Sequence, residues 1–178
     1  MLFRSNRKFL SGAHGVVDKV VGGWQANLIV GLQSGFPISP QEGINRSRDG
    51  NSSTPDRPDM APGRTLRNNF YIRKPDQWFD AGAFVFPVLG TYGNVGRNVI
   101  EGPGLTSVDL SLIKSTRISE KWSMQFRAEF FNLLNHSNFG LPGNVVLQSN
   151  GQPASSAGLV TDTATKSRQI QFGMKLNW

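Results

Sequence analysis

The last eleven residues, 168–178, constrain the fold more than any other stretch of this chain. Ile170, Phe172, Met174, Leu176 and Trp178 alternate with Gln169, Gln171, Gly173, Lys175 and Asn177. A period of two sends successive side chains to opposite faces of a strand, so one face is apolar and the other polar. At about 3.3 Å per residue and a tilt of about 45°, such a strand rises about 25 Å.

Three further segments carry the same pattern. In 122–135, Trp122, Met124, Phe126, Ala128 and Phe130 oppose Ser123, Gln125, Arg127 and Glu129, until Phe131, Leu133 and Leu134 blur the alternation. In 24–35, Trp24, Ala26, Leu28, Val30 and Leu32 oppose Gln25, Asn27, Gly31 and Gln33, with Ile29 as the exception. In 106–117, Val108, Leu110 and Leu112 face away from Asp109 and Ser111.

The connections between these strands are unequal. Only residues 118–121 join the second strand to the third, which predicts a tight hairpin. By contrast 36–105 is 70 residues long, and 136–167 is 32 residues long and rich in Asn, Ser, Gly and Pro. Structureless loops of that length are unusual in a compact soluble domain. If the C-terminus lies in the periplasm, four antiparallel strands put the tight turn on the periplasmic side and both long connections outside. Short periplasmic turns and long extracellular loops are the habit of outer-membrane barrels. The expected architecture is therefore all-β: an antiparallel transmembrane β-barrel segment of about four long strands, with extracellular loops at about 36–105 and 136–167 and a periplasmic entry segment at 1–23.

Composition narrows the chemistry. There is no cysteine, which removes disulfide scaffolds, thiolate zinc sites and cysteine nucleophiles. The net charge of +7 arises from 19 Lys and Arg against 12 Asp and Glu. These basic residues are scattered along the chain, with no stripe of the kind that tracks a nucleic-acid backbone, so no nucleic-acid partner is expected. The apolar runs are too short for a spanning helix, which needs about 20 residues. The charged first residues have no apolar stretch behind them, so no signal peptide is read there.

A soluble or secreted β-sandwich also alternates apolar and polar residues along its strands. In that alternative the long loops would bind a carbohydrate or an anionic polymer. Two features favour the membrane. Trp24, Trp122 and Trp178 stand at strand ends, as interfacial girdle residues do, and the chain stops on an aromatic residue in phase with a full apolar face.

These segments resemble a known family. Residues 168–178 are similar to the last strand of outer-membrane proteins, whose alternate apolar positions and terminal aromatic form the signal read by the barrel-assembly machinery. Residues 125–140 resemble the penultimate strand of TonB-dependent receptors, closest to the Oar-like group with a carboxypeptidase-regulatory-like domain. Residues 21–25, 33–37, 77–80, 93–98, 102–104 and 108–112 are similar to that group too, so the likeness runs from about residue 9 to 178. It implies an outer-membrane location and a structural, transport-related role without catalysis. The implied partners are outer-membrane lipid, the barrel-assembly machinery and the remainder of a receptor. Phe172, Met174, Leu176 and Trp178 are the assembly signal on this reading, and Arg127, Glu129 and Lys175 face the lumen. Such receptors close about 22 strands, and this chain shows four, without a plug or a TonB box. The expectation is a gene fragment or a misplaced start, which would not insert stably alone because unpaired strand edges are costly in lipid.

No catalytic, cofactor or metal site is expected. His14 and His136 are the only histidines and lack ligand spacing. Asp49, Asp56 and Asp59 fall in a polar tract without the ordered oxygen spacing of a calcium loop. Residues 93–98 lack the Lys-Ser/Thr of a phosphate loop. Arg64, Arg67, Arg73 and Lys74 mingle with Phe70, Tyr71, Trp78 and Phe79. That mixture suits an anionic or sugar ligand, or stacked bases, or else a loop packed by its own aromatics at the extracellular rim, and the last is favoured.

Overall fold

The computed structural model describes residues 20–178 except Ser52, Thr54 and Asn68. Most of the 1–23 entry segment and His14 therefore lie outside the described residues. In chain order the strands are β1 (Trp24–Gln33), β2 (Pro37–Ile38), β3 (Gln41–Glu42), β4 (Asp59–Met60), β5 (Tyr71–Lys74), β6 (Gln77–Phe79), β7 (Phe84–Val85), β8 (Ile100–Glu101), β9 (Leu105–Arg117), β10 (Ser123–Phe131), β11 (Val145–Leu147) and β12 (Gln169–Asn177), with a 3-10 turn at Ala81–Ala83. Among the described residues no helix is long and apolar enough to cross a membrane. The chain divides into two units. One holds the long strands; the other comprises Gln33–Leu105 and Ser137–Thr165.

The first unit is an antiparallel sheet in the order β1-β9-β10-β12, and among the described residues nothing pairs with the outer edges of β1 and β12. Its register follows from the hairpin: Ile118 and Ser119 donate backbone bonds to Trp122 at 2.9 and 3.1 Å, and β9 and β10 then pair from Ser123 opposite Arg117 to Phe130 opposite Leu110. Strand β12 pairs β10 without a break, Met124 facing Leu176 and Phe130 facing Ile170. A one-residue slip would move every apolar side chain to the wrong face.

Strand β10 ends at Phe131, short of the expected 135, and the cause is local. Asn132 and Asn135 adopt φ of 50° and 51°, a left-handed conformation that Asn tolerates and apolar residues avoid. The buried Asn132 side chain accepts the His136 N–H at 2.9 Å and donates to the carbonyls of His136 and Lys166. Its backbone N–H donates to Asp109 on β9 at 2.8 Å. One residue thus ties together the end of β10, the turn behind it, β9 and the approach to β12.

The second unit has a core of its own. Phe70, Phe79, Ile100, Val146 and Leu147 are fully buried. Phe70 and Phe79 stack at 5.6 Å, and Phe84 meets both edge-on. Two-strand pairings surround them: β2 with β8, β4 with β7 and β5 with β6 antiparallel, and β3 with β11 parallel. The sequence motifs of this unit are joints between segments. A Cβ on Gly93 would lie 2.0 Å from the Arg57 carbonyl oxygen, so only glycine admits the approach. Beside it Asn94 and the β4 segment exchange bonds, Asn94 N–H to Asp59 at 2.7 Å and Met60 N–H to Asn94 at 3.0 Å. Gly35 lies against Gly102 in the same way. The two long connections are therefore not structureless: they share one apolar centre.

Candidate functional site

The candidate site is the four-stranded sheet, whose two faces differ in chemistry. On the apolar face Phe172 stacks on Phe126 at 6.0 Å, Met174 lies opposite Phe126, and Leu176 lies opposite Met124. Trp178 packs against Trp122 at 6.1 Å. These side chains stay open: Phe172 is 66% exposed, Met174 74%, Leu176 46% and Trp178 86%. Leu28, Val30, Leu32, Trp122 and Ile170 are exposed as well. Burying one large apolar side chain is worth about 1.5–3 kcal/mol. Nine left open to water would forgo a sum comparable to the roughly 5–15 kcal/mol that holds a typical domain together. A sandwich would cover them with a second layer, and no described residue does so.

The boundary of this face is marked by aromatics and one cation. Trp24 begins β1, Trp122 precedes β10 and Trp178 follows β12, so antiparallel pairing brings all three to the turn end of the sheet. Lys114 sits opposite Phe126 on the apolar face. Its amine donates to the Gly22 carbonyl and lies over the Trp24 ring, 5.6 Å from the centroid. A lysine stem can lie along apolar surface while its head reaches a polar boundary, and this one turns toward the turn end.

The opposite face is polar. Arg127 and Glu129 stand two residues apart on β10 and approach to 3.7 Å. Arg127 also donates to Gln125 at 3.4 Å. Across the ladder Gln125 faces Lys175, Arg127 faces Gly173 and Glu129 faces Gln171. Among the described residues nothing lies within 4 Å of the place a Gly173 Cβ would take. The result is a shallow depression of about 200 Å³ lined by Arg127, Glu129 and Lys175 among others. An exposed ion pair of this kind contributes about 0–1 kcal/mol to stability, so its value lies in the charge it presents. The structure thus groups Arg127, Glu129 and Lys175 on one face, and Phe172, Met174, Leu176 and Trp178 on the other.

Elsewhere the candidate chemistry is absorbed by the fold. Phe70, Trp78 and Phe79 are core residues, with the Trp78 indole donating to the Glu101 carbonyl at 2.8 Å. Arg64 pairs with Asp80, and Arg73 lies over the Tyr71 ring. Asp49 accepts the Asn51 N–H, the Asn45 amide and the Tyr92 hydroxyl. These bonds, the Asn51 N–H foremost, hold its carboxyl below the usual carboxylate range, and the same contact raises the Tyr92 hydroxyl. Asp56 accepts two bonds from Ser47. Among the described residues no cluster of His, Asp and Glu is arranged to hold a metal. Sequence reasoning missed Asn132, whose signal was an Asn directly after an apolar run. It also missed Glu42, which no local pattern marks.

A family model described as Outer membrane beta barrel domain matches residues 2–171. No curated protein and no solved structure matches the chain. With nearly its whole length covered by that match, and with a one-layer sheet that is greasy on one side and polar on the other, the chain belongs to the outer-membrane β-barrel domain family and is a protein of the outer membrane.

Proposed function

We propose that this chain forms the C-terminal strands of a TonB-dependent receptor of the Oar-like group, a structural wall of a transport barrel without catalytic chemistry of its own. The observation that carries the reading is the two-faced sheet, whose edges β1 and β12 have no partner strand among the described residues. Its apolar face meets outer-membrane lipid, and Arg127, Glu129 and Lys175 line the lumen, where they present charge to the remainder of the receptor. Phe172, Met174, Leu176 and Trp178 serve the barrel-assembly machinery as the terminal signal. The sheet supports one orientation: the tight turn lies at one end, and every long connection departs from the other. On that orientation the turn is periplasmic and the connections at about 36–105 and 136–167 are extracellular loops.

The absence of cysteine makes this directly testable. Single substitutions Phe172→Cys, Gln171→Cys and Ser119→Cys are made in the full chain within outer membranes and probed with a water-soluble maleimide. Gln171→Cys and Ser119→Cys react, whereas Phe172→Cys reacts only after detergent is added. Equal labelling at 171 and 172 before detergent refutes the lipid-facing assignment. The receptor assignment is tested on the same membranes by immunoblotting for the C-terminus: a band far above 19.5 kDa supports it, and a band at that mass opposes it.

A further inference from the structure

Among the described residues Glu42 stands apart from the other buried groups. It is 1% exposed, and among the described residues neither carboxylate oxygen has a hydrogen-bond partner. It lies on β3 opposite Leu147 of β11, between two segments joined over a long sequence separation. Its backbone N–H donates to the Asp56 carbonyl at 2.8 Å. The charged groups that face it are few. Asp56 and Asp59 repel a negative charge there, and Arg46 attracts one. Arg46, however, is already engaged, donating to the Pro87 carbonyl at 3.1 Å and lying over the Phe86 ring at 4.7 Å. Asp56 is bonded to Ser47, and Asp59 to the Asn94 N–H. Strand β11 carries only Val145, Val146 and Leu147 and brings no charge.

An ionised carboxylate without partners is costly inside a protein, and a neutral carboxyl far less so. We propose that Glu42 is a proton-operated latch: the folded unit keeps its carboxyl protonated, and loss of that proton loosens the join between β3 and β11. Burial and the neighbouring Asp56 push the group up to about 7, against an ordinary value of 4.5. Protons therefore bind the folded unit more tightly than the unfolded one. Stability contributed by this group is complete below about 4.5, falls as pH rises toward about 7, and is level above that. The latch is closed in acid and slack at neutral to alkaline pH. It is a property of the second unit alone and does not rest on the transport assignment.

Hydrogen exchange on the full chain in detergent micelles tests this, read on peptides covering 40–47 and 143–148. These contain the β3–β11 bonds, Gln41 N–H to Asn144 and Gly43 N–H to Leu147. After correction for intrinsic exchange, wild-type protection at pH 8 is about tenfold or more below that at pH 5.5. Glu42→Gln abolishes the difference. Wild-type protection that is the same at both pH values overturns the proposal, and this arm stands even if Glu42→Gln does not fold. A pH-dependent loss that persists in folded Glu42→Gln also overturns it. So does millimolar calcium restoring protection at pH 8 in wild type but not in Glu42→Gln, because the carboxylate would then be a cation ligand.

Discussion

The two units of this chain treat their apolar residues in opposite ways. The sheet turns Leu28, Phe172, Met174 and Trp178 outward, while the second unit seals Phe70, Phe79, Ile100 and Leu147 away. Polar groups differ in the same sense. In the sheet they form an open face around Arg127 and Lys175; in the second unit Asp49, Asp56 and Asp59 are each consumed by internal bonds. One polypeptide is thus built for two media. On the proposed reading the sheet is a wall between lipid and water, whereas the second unit closes around an apolar core of its own.

Equivalent substitutions in the two units should therefore have unequal effects. The largest loss is expected from Phe79→Ala, which opens a cavity among Phe70, Phe84 and their neighbours. It costs about 3–5 kcal/mol in the unfolding of the second unit, followed by urea titration with a fluorescence readout. On the lipid-facing reading Phe172→Ala leaves no cavity, because lipid fills the space, and it costs much less. Equal losses would break the comparison.

A charge sharpens the comparison within the sheet. Phe172→Arg, introduced into the receptor proposed above, places a cation near the centre of the apolar face and costs about 2–4 kcal/mol of its folding into vesicles. Gln171→Arg, one residue away on the polar face, leaves folding within error. If both cost the same, the faces have been misassigned. A smaller loss than that of Phe172→Arg is expected at the joint behind β10. Asn132→Ala removes an amide that serves His136 and Lys166 and costs about 1–3 kcal/mol, seen as faster exchange of the His136 and Leu133 amides. Unchanged exchange there would show that the turn is held by the strands alone.

The sheet was legible in the sequence because its signal is local. Side chains alternate along a strand whatever surrounds it, so Ile170 to Trp178 announce two faces without knowledge of their neighbours. Strand ends were less legible. Leu133 and Leu134 continue the apolar content of β10, while Asn132 quietly stops it through a left-handed backbone and bonds to partners as distant as Asp109 and Lys166.

By itself, then, the sequence determined an all-β chain with four two-faced strands, one tight turn and two long connections, because period and turn length are properties of neighbouring residues. The tertiary structure alone decided that those connections share a core, that Gly93 lies against Arg57, and that Glu42 is enclosed beside Leu147. The pairing of Glu42 with Leu147 spans more than a hundred residues. Which groups meet across such a span depends on how the whole unit closes around its apolar side chains, and no short window of sequence contains that.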